Sequence, residues 1–285
     1  MAKLSRKHKG IIFLLLSSLG FAAMSIFVKL AGDLPTFQKV FFRNLITVVL
    51  SLGLILYHRS PVLSNKRSIK PLLLRSALGT IGMIMYFYAM DNMVLSDANM
   101  LNKLSVFFLL LFSALFLKER LKPYQIISVI IAFIGALFII KPAFQVEFVP
   151  YAMGLGSALI AGAAYTVLRF LSGKEKFYQI TFFFSTFSVL ALSPFLIIFY
   201  ESMSVLQVVY LLLAGVFASI GQFGITLAYQ YAPAKEISIF TYSNVIFVTL
   251  LSFIVFFDYP DIYSLIGYVI IFGASIYMFQ KNKYR

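Results

Sequence analysis

Polar side chains recur at helical spacing inside stretches of this chain that are otherwise apolar. Gly215, Ser219, Gln222, Thr226 and Tyr229 follow one another at intervals of 4, 3, 4 and 3 residues, which places all five on one face of a helix. Asn99, Asn102, Lys103 and Ser105 form a second cluster. Thr241, Tyr242 and Asn244 form a third, at positions matching Asn102, Lys103 and Ser105 after a shift of 139 residues. Tyr86, Tyr165, Tyr229 and Tyr242 add rings that can stack on a planar group or hold an ammonium. Amides, hydroxyls, phenols and one amine are groups for reversible recognition of a small polar molecule. Lys103 is the full charge among them, and its simplest partner would be a carboxylate or phosphate.

Groups for bond breaking are not part of the pattern. The chain has no cysteine, hence no thiol nucleophile, disulfide or thiolate metal ligand. Its two histidines, His8 and His58, lie in basic segments, and no spaced carboxylate pair, metal-ligand cluster or phosphate-binding glycine loop stands out. An enzyme, an ATP-driven pump and a bound cofactor are therefore not expected.

Plainer readings compete at each position. Gly, Ser and Thr on one helix face also make a close-packed seam, and Asn, Ser and Thr can simply hydrogen-bond across helices. Gln222 and Tyr229 are large for a tight seam, which favours a cavity. Gly154, Ala158 and Gly162 read as close packing. Lys39 and Arg43 read as a snorkelling pair near a helix end. Asp97 and Glu236, repeat partners near helix starts, read as caps favoured by the helix dipole. Lys103 lies about six residues into its helix, roughly 9 Å deep at 1.5 Å per residue, where a long stem could still reach the headgroups.

Composition says what must position these groups. The 285 residues are 61% hydrophobic and only 12% charged, whereas soluble domains run about 45–50% apolar and about 25% charged. Long apolar runs broken by polar punctuation predict helices near 10–31, 36–57, 70–90, 97–117, 123–140, 150–171, 178–200, 205–230, 235–257 and 262–280. A β-barrel would need shorter, alternating segments. The first run is too long for a cleavable signal peptide. The net charge of +14 sits mostly in short segments between spans, so it marks topology rather than a nucleic-acid surface. Lys3, Arg6, Lys7, Lys9, Arg59, Lys66, Arg67, Lys70, Lys118, Arg120, Lys122, Lys174, Lys176, Lys235, Lys281, Lys283 and Arg285 fall at one set of span ends. The alternate ends carry Asp33, Asp91, Asp97, Glu147, Glu201, Asp258 and Asp261, with Lys141 their base in a loop. The positive-inside bias then puts both termini in the cytoplasm, in a multi-pass protein of the cell membrane.

The chain also repeats itself. A shift of 139 positions superimposes Ile81-Gly82 on Ile220-Gly221, Ala89 on Ala228, Val106 and Phe108 on Val245 and Phe247, and Tyr124 on Tyr263, without a gap. Five spans per half is an odd number, so the second half enters the membrane from the opposite side. The expected fold class is an all-α integral membrane protein, ten transmembrane helices as two five-helix inverted-topology repeats, with halves at 1–141 and 150–285. Such halves can exchange conformations around one midplane site; a duplicated scaffold without transport is the plain alternative.

Three stretches carry a resemblance: "SIFVKLAG…FFRN" at 25–44, "YAMDNMVLSDANMLNKLSVFFLLLFSALFLKERLKPYQ" at 88–125 and "YAPAKEISIFTYSNVIFVTLLSFIVFFDYPDIYSLIGYVIIFGA" at 231–274. With the duplicated layout and Lys118-Glu119-Arg120, the whole chain resembles the drug/metabolite transporter superfamily, in particular its ten-helix EamA-type permeases. One departure is visible: such proteins often carry proline in the fourth helix where this chain reads Ser105-Val106. The resemblance implies a secondary carrier of a small polar or amphiphilic metabolite, with a central cavity lined by both halves. It also implies peripheral fifth and tenth helices that support the bundle or a homodimer contact. The substrate stays open between amino-acid-like compounds, amines and organic acids. Export of amino acids or hydrophobic amines is the alternative within transport, and a lipid-handling or structural membrane protein the alternative outside it. The expected substrate contacts are Tyr86, Asn99, Asn102, Lys103, Tyr165, Gln222, Thr226, Tyr229, Tyr242 and Asn244.

Overall fold

The computed structural model describes residues 6–116, 121–141, 148–171, 173–232 and 237–283, without the side chains of residues 229, 230, 238, 282 and 283. Among these described residues ten helices are long and apolar enough to cross a membrane: α1 (Arg6–Leu30), α2 (Thr36–Tyr57), α3 (Ile69–Asn92), α4 (Leu95–Phe116), α5 (Pro123–Ile140), α6 (Phe148–Leu171), α7 (Phe177–Ile198), α8 (Val205–Tyr231), α9 (Ile239–Phe256) and α10 (Ile262–Lys283). Among the described residues there is no strand, as expected where every backbone polar group must be satisfied inside its own segment.

Local chemistry sets the helix ends. Ser204 Oγ accepts from Gln207 N (3.2 Å) while Gln207 Oε1 accepts from Ser204 N (2.9 Å), a reciprocal cap that starts α8. Pro123 stands at the first position of α5, where its missing N–H costs nothing. Gly32, at φ +69°, turns the chain out of α1 in the left-handed region that glycine adopts freely.

The packing obeys a pseudo-two-fold exchange of helix n with helix n+5. α1 packs on α8 as α6 packs on α3; α1 packs on α9 as α6 packs on α4; α2 packs on α8 as α7 packs on α3. The self-paired contacts, α2 with α7, α4 with α9 and α5 with α10, lie on the exchange axis. The inverted repeat is thus a property of the contacts as well as of the sequence. Seams are made where small residues let backbones approach. A Cβ on Gly20 of α1 would lie 2.8 Å from Gly221 N of α8, and one on Gly162 of α6 would lie 2.5 Å from Phe108 Cβ of α4. Gly154 and Gly162 therefore face α4, the close-packed role read from their spacing.

Two helices are interrupted at equivalent places. α4 consists of Leu95–Lys103 and Ser105–Phe116, with a tighter turn at Leu104 where Leu104 N bonds Leu101 O (3.0 Å) and Phe107 N bonds Leu104 O (2.9 Å). α9 begins as a 3₁₀ turn, Ser238–Tyr242, and becomes α-helical at Ser243. Leu104 and Ser243 correspond under the 139-residue shift. α4 breaks here with Ser105-Val106 and no proline, so the bend does not need that residue.

Polar contacts tie the halves at both faces of the bundle. At one face Gln38 Nε2 donates to Glu201 O (2.8 Å) and Gln38 Oε1 accepts from Glu201 N (3.0 Å). At the opposite face Gln179 Nε2 donates to Pro61 O (2.6 Å), and Glu175 accepts from the backbone N–H of Ser64 and Asn65 (3.0 Å each). These are related contacts: each glutamine sits at the start of α2 or α7 and clasps the loop that follows the other. Lys29–Asp258 (2.9 Å), Lys39–Asp91 (2.7 Å) and Lys141–Asp261 all lie on the Gln38 face.

Candidate substrate cavity

A cavity of about 120 Å³ opens at the centre of the bundle, room for on the order of ten water positions. Side chains from α1 to α4 and from α6 to α9 line it, and none from α5 or α10. Several walls come in repeat pairs: Met83 with Gln222, Tyr86 with Ile225, and Asn102 with Thr241.

The expected contacts divide. Tyr86, Asn102, Lys103, Tyr165, Gln222 and Asn244 line the cavity. Asn102 Nδ2 also donates to Ser157 Oγ of α6 (3.1 Å), which holds the amide in place beside the break in α4. Asn244 Nδ2 donates to Ser18 O of α1 (2.9 Å), and Asn244 Oδ1 is buried with no donor among the described residues. Asn99 stands one layer back: its Oδ1 accepts from Tyr86 Oη, and its Nδ2 donates to Leu95 O (2.8 Å). It orients the phenol rather than walling the space.

Other readings are corrected by the packing. The α8 stripe does not face one neighbour. Gly215 abuts Ile46 and the Arg43 carbonyl of α2, and Ser219 Oγ lies 3.0 Å from Thr47 Oγ1 of α2. Of the described side chains of that stripe only Gln222 reaches the cavity, and Thr226 returns its hydroxyl to Gln222 O (2.8 Å). The stripe curves because α8 crosses α2 at one end and passes the open space further along. The Tyr229 side chain is outside the described residues. Tyr242 is buried with its ring edge-on to Phe272 of α10, centroids 5.9 Å apart, so of the described rings of the expected aromatic wall Tyr86 and Tyr165 line the cavity. Asp97 does not cap α4. Its carboxylate accepts from Ser264 Oγ (2.9 Å) and Tyr268 Oη (2.6 Å) of α10. Its partner Glu236 is outside the described residues, as are residues 117–120.

Lys39 and Arg43 do not snorkel. Lys39 is buried in its ion pair with Asp91. Arg43, 1% exposed, turns inward and lines the cavity. Arg75 of α3, 4% exposed, enters the same space with its guanidinium 4.7 Å from the centroid of the Phe184 ring. Gly79 makes room for it: a Cβ there would lie 2.2 Å from Arg75 Nη1. Arg43 donates to Asn44 Oδ1, but its Nε, and Arg75 Nε and Nη1, are buried with no acceptor among the described residues. Sequence reading missed Arg75 altogether. A full charge six residues inside an apolar span, with Ala214 as its repeat partner, was the signal that could have found it. A charge in the hydrocarbon region costs up to about 2.5–3.5 kcal/mol, so cations that have no carboxylate among the described residues and that line a cavity point to function.

Ten membrane-crossing helices in two inverted repeats around a central cavity that sets cationic and hydrogen-bonding groups among apolar walls are the build of a small-molecule carrier. The EamA-like transporter family matches residues 8–141 and again 149–280, and the chain belongs to that family. It is 31% identical to the pseudopaline exporter of Pseudomonas aeruginosa over 277 residues, 96% of this chain and 97% of that one. It is 27% identical to the riboflavin transporter of Brucella anthropi, covering 92% and 95% of the two chains, and 23% identical to the S-adenosylmethionine uptake transporter of Rickettsia felis, covering 96% and 93%. A crystal structure with 16% identity superimposes at a TM-score of 0.70 over 96% of this chain and 98% of that one, which shows the shared fold. The protein is a multi-pass membrane transporter of a small metabolite.

Proposed function

We propose that this protein is a secondary carrier of the cytoplasmic membrane that exports a small polar metabolite by alternating access around the central cavity. The observation that carries the reading is the cavity's construction: it lies between two inverted repeats whose packing obeys the n to n+5 exchange. Related halves can swap conformations, so outward-open and inward-open states of similar energy are built into the fold. The paired clasps of Gln38 on the 201 loop and Gln179 on the 61–64 loop support this, since each ties the halves at one face. Substrate meets Tyr86, Asn102, Lys103, Tyr165, Gln222 and Asn244. The halves divide at 1–141 and 150–285, both termini are cytoplasmic by the charge bias, and the export direction follows the pseudopaline exporter.

Proteoliposomes test it directly. Vesicles with and without the purified protein are incubated in a cell extract, and the trapped metabolites are compared by mass spectrometry. At least one small polar metabolite should accumulate only with the protein, and less of it with Gln222→Ala; no protein-dependent accumulation would refute the carrier. Single cysteines placed at 62 and 92, both exposed, in this cysteine-free chain test the orientation in intact cells. An impermeant thiol reagent should label position 92 and spare position 62, and the reverse would invert the topology.

A further inference from the structure

Resting on the carrier reading of this cavity, we infer that its substrate carries two or more separate acidic groups, held by Arg43, Arg75 and Lys103, and a hydrogen-bond donor that meets Asn244 Oδ1. All three cations line one cavity, and among the described residues no acidic side chain lines it. Arg43 and Arg75 keep N–H groups without an acceptor, and no ion pair to Lys103 forms among the described residues. Elsewhere in the bundle the protein does pair its semi-buried bases, Lys29 with Asp258 and Lys39 with Asp91. Among the described residues, omission of a carboxylate is therefore a feature of the cavity.

The fold does not need these charges. Under the 139-residue shift Arg75 and Lys103 correspond to Ala214 and Tyr242, and Arg43, five residues after Gln38, corresponds to Phe184, five after Gln179, so the second repeat builds the same helices with neutral residues. Every cation comes from the first repeat. The second contributes Gln222, Thr241 and Asn244, hence the cavity has one cationic wall and one neutral, hydrogen-bonding wall. Arginine forks take planar acids bidentately, and the flexible amine of Lys103 suits an acid at a variable distance. The Asn244 amide is held by Ser18 O, so the orphaned oxygen is left to accept from an N–H or O–H of the substrate. The matching molecule is a small acid with an amine, amide or hydroxyl between or beside its acidic groups. Carboxylates and phosphates satisfy the forks alike.

The test measures heat stabilisation and affinity of the purified full-length protein with acetate, glutarate, propane-1,2,3-tricarboxylate, glycerol phosphate, 1,5-diaminopentane and sorbitol. Stabilisation should rise from acetate to glutarate to the tricarboxylate, weaken with added salt, and be absent with the diamine and sorbitol. A stronger response to glycerol phosphate than to glutarate would assign the acids as phosphates. Arg75→Gln and Lys103→Gln should each weaken tricarboxylate binding about ten- to a hundredfold. Ligand-free, both variants should melt at or above the wild-type temperature, because an unpartnered buried charge has been removed; a large drop instead would mean a structural role and overturn the inference. Equal stabilisation by acetate and the tricarboxylate, or unchanged affinity in the variants, overturns it as well. Stabilisation by the diamine or sorbitol alone, or by no probe while proteoliposomes still accumulate a metabolite, defeats the acidic substrate and leaves the carrier standing. No response to any probe and no accumulation defeats both.

Discussion

Gly215→Ala separates a seam from a substrate path on the same helix face. A Cβ at residue 215 would lie 2.6 Å from Ile46 Cβ, 2.9 Å from Ile46 Cγ1 and 2.9 Å from the Arg43 carbonyl oxygen of α2. Comfortable carbon contacts begin near about 3.5 Å, so α2 and α8 must part by roughly half an ångström or more. A backbone carbonyl cannot swing aside as a side-chain tip can. Overpacking of this kind costs about 1–3 kcal/mol, and the better helix propensity of alanine returns up to about 1 kcal/mol. The net expectation is a destabilisation of about 1 kcal/mol, with Arg43 displaced because its own peptide is what gives way. Gly53→Ala in α2 is the control, since nothing lies within 4 Å of a Cβ there and only the propensity gain remains. The assay is the midpoint of heat inactivation at a fixed scan rate, since membrane proteins of this size commonly unfold irreversibly, together with substrate affinity. Gly215→Ala should melt below wild type and bind more weakly, while Gly53→Ala should do neither. Equal melting of the two alanine variants would refute the reasoning that α8 meets α2 along this stretch.

The remaining expectations concern groups around the cavity. Gln222→Ala, two turns further along the same face, should lower affinity with little loss of folded yield, because it removes a cavity wall rather than a packed contact; equal losses of both would mark it as a seam residue. Asp97→Asn should lower heat stability by about 1.5–3 kcal/mol, the scale of hydrogen bonds to a charged group, as the Ser264 and Tyr268 bonds that dock α10 weaken. Substrate affinity should be unchanged, and a binding defect in a stable variant would place Asp97 in the transport path instead. Lys39→Met leaves Asp91 facing a lost partner and should cost on the order of 3 kcal/mol. Adding Asp91→Asn should recover most of that loss in a double-variant cycle, and strictly additive losses would show that the pair at 2.7 Å is not coupled.

The number and limits of the spans were legible in the sequence because they depend on local quantities: the length of an apolar run, a polar break, a capping residue. The repeat was legible too, since an ungapped register is a property of the string, and it carried the n to n+5 packing with it. Six of the nine expected substrate contacts whose side chains are described line the cavity, as polar atoms in a hydrocarbon setting turn toward polar company. Helical spacing says which residues share a face but not what covers that face. Gly215 and Gln222 share one, yet α2 covers the first and open space lies over the second. The same limit applied to Tyr242, whose neighbour Phe272 is 30 residues away in sequence, and to Asp97, whose hydrogen-bond donors lie 167 and 171 residues on. Arg43 and Arg75 show the limit most clearly. Each sits within two turns of a helix end, where the sequence allows a long stem to run outward to the headgroups or inward to the centre. Only the tertiary structure chose, by placing Phe184 and Gly79 where the Arg75 guanidinium can lie and by bringing two helices that enter from opposite faces to one polar space.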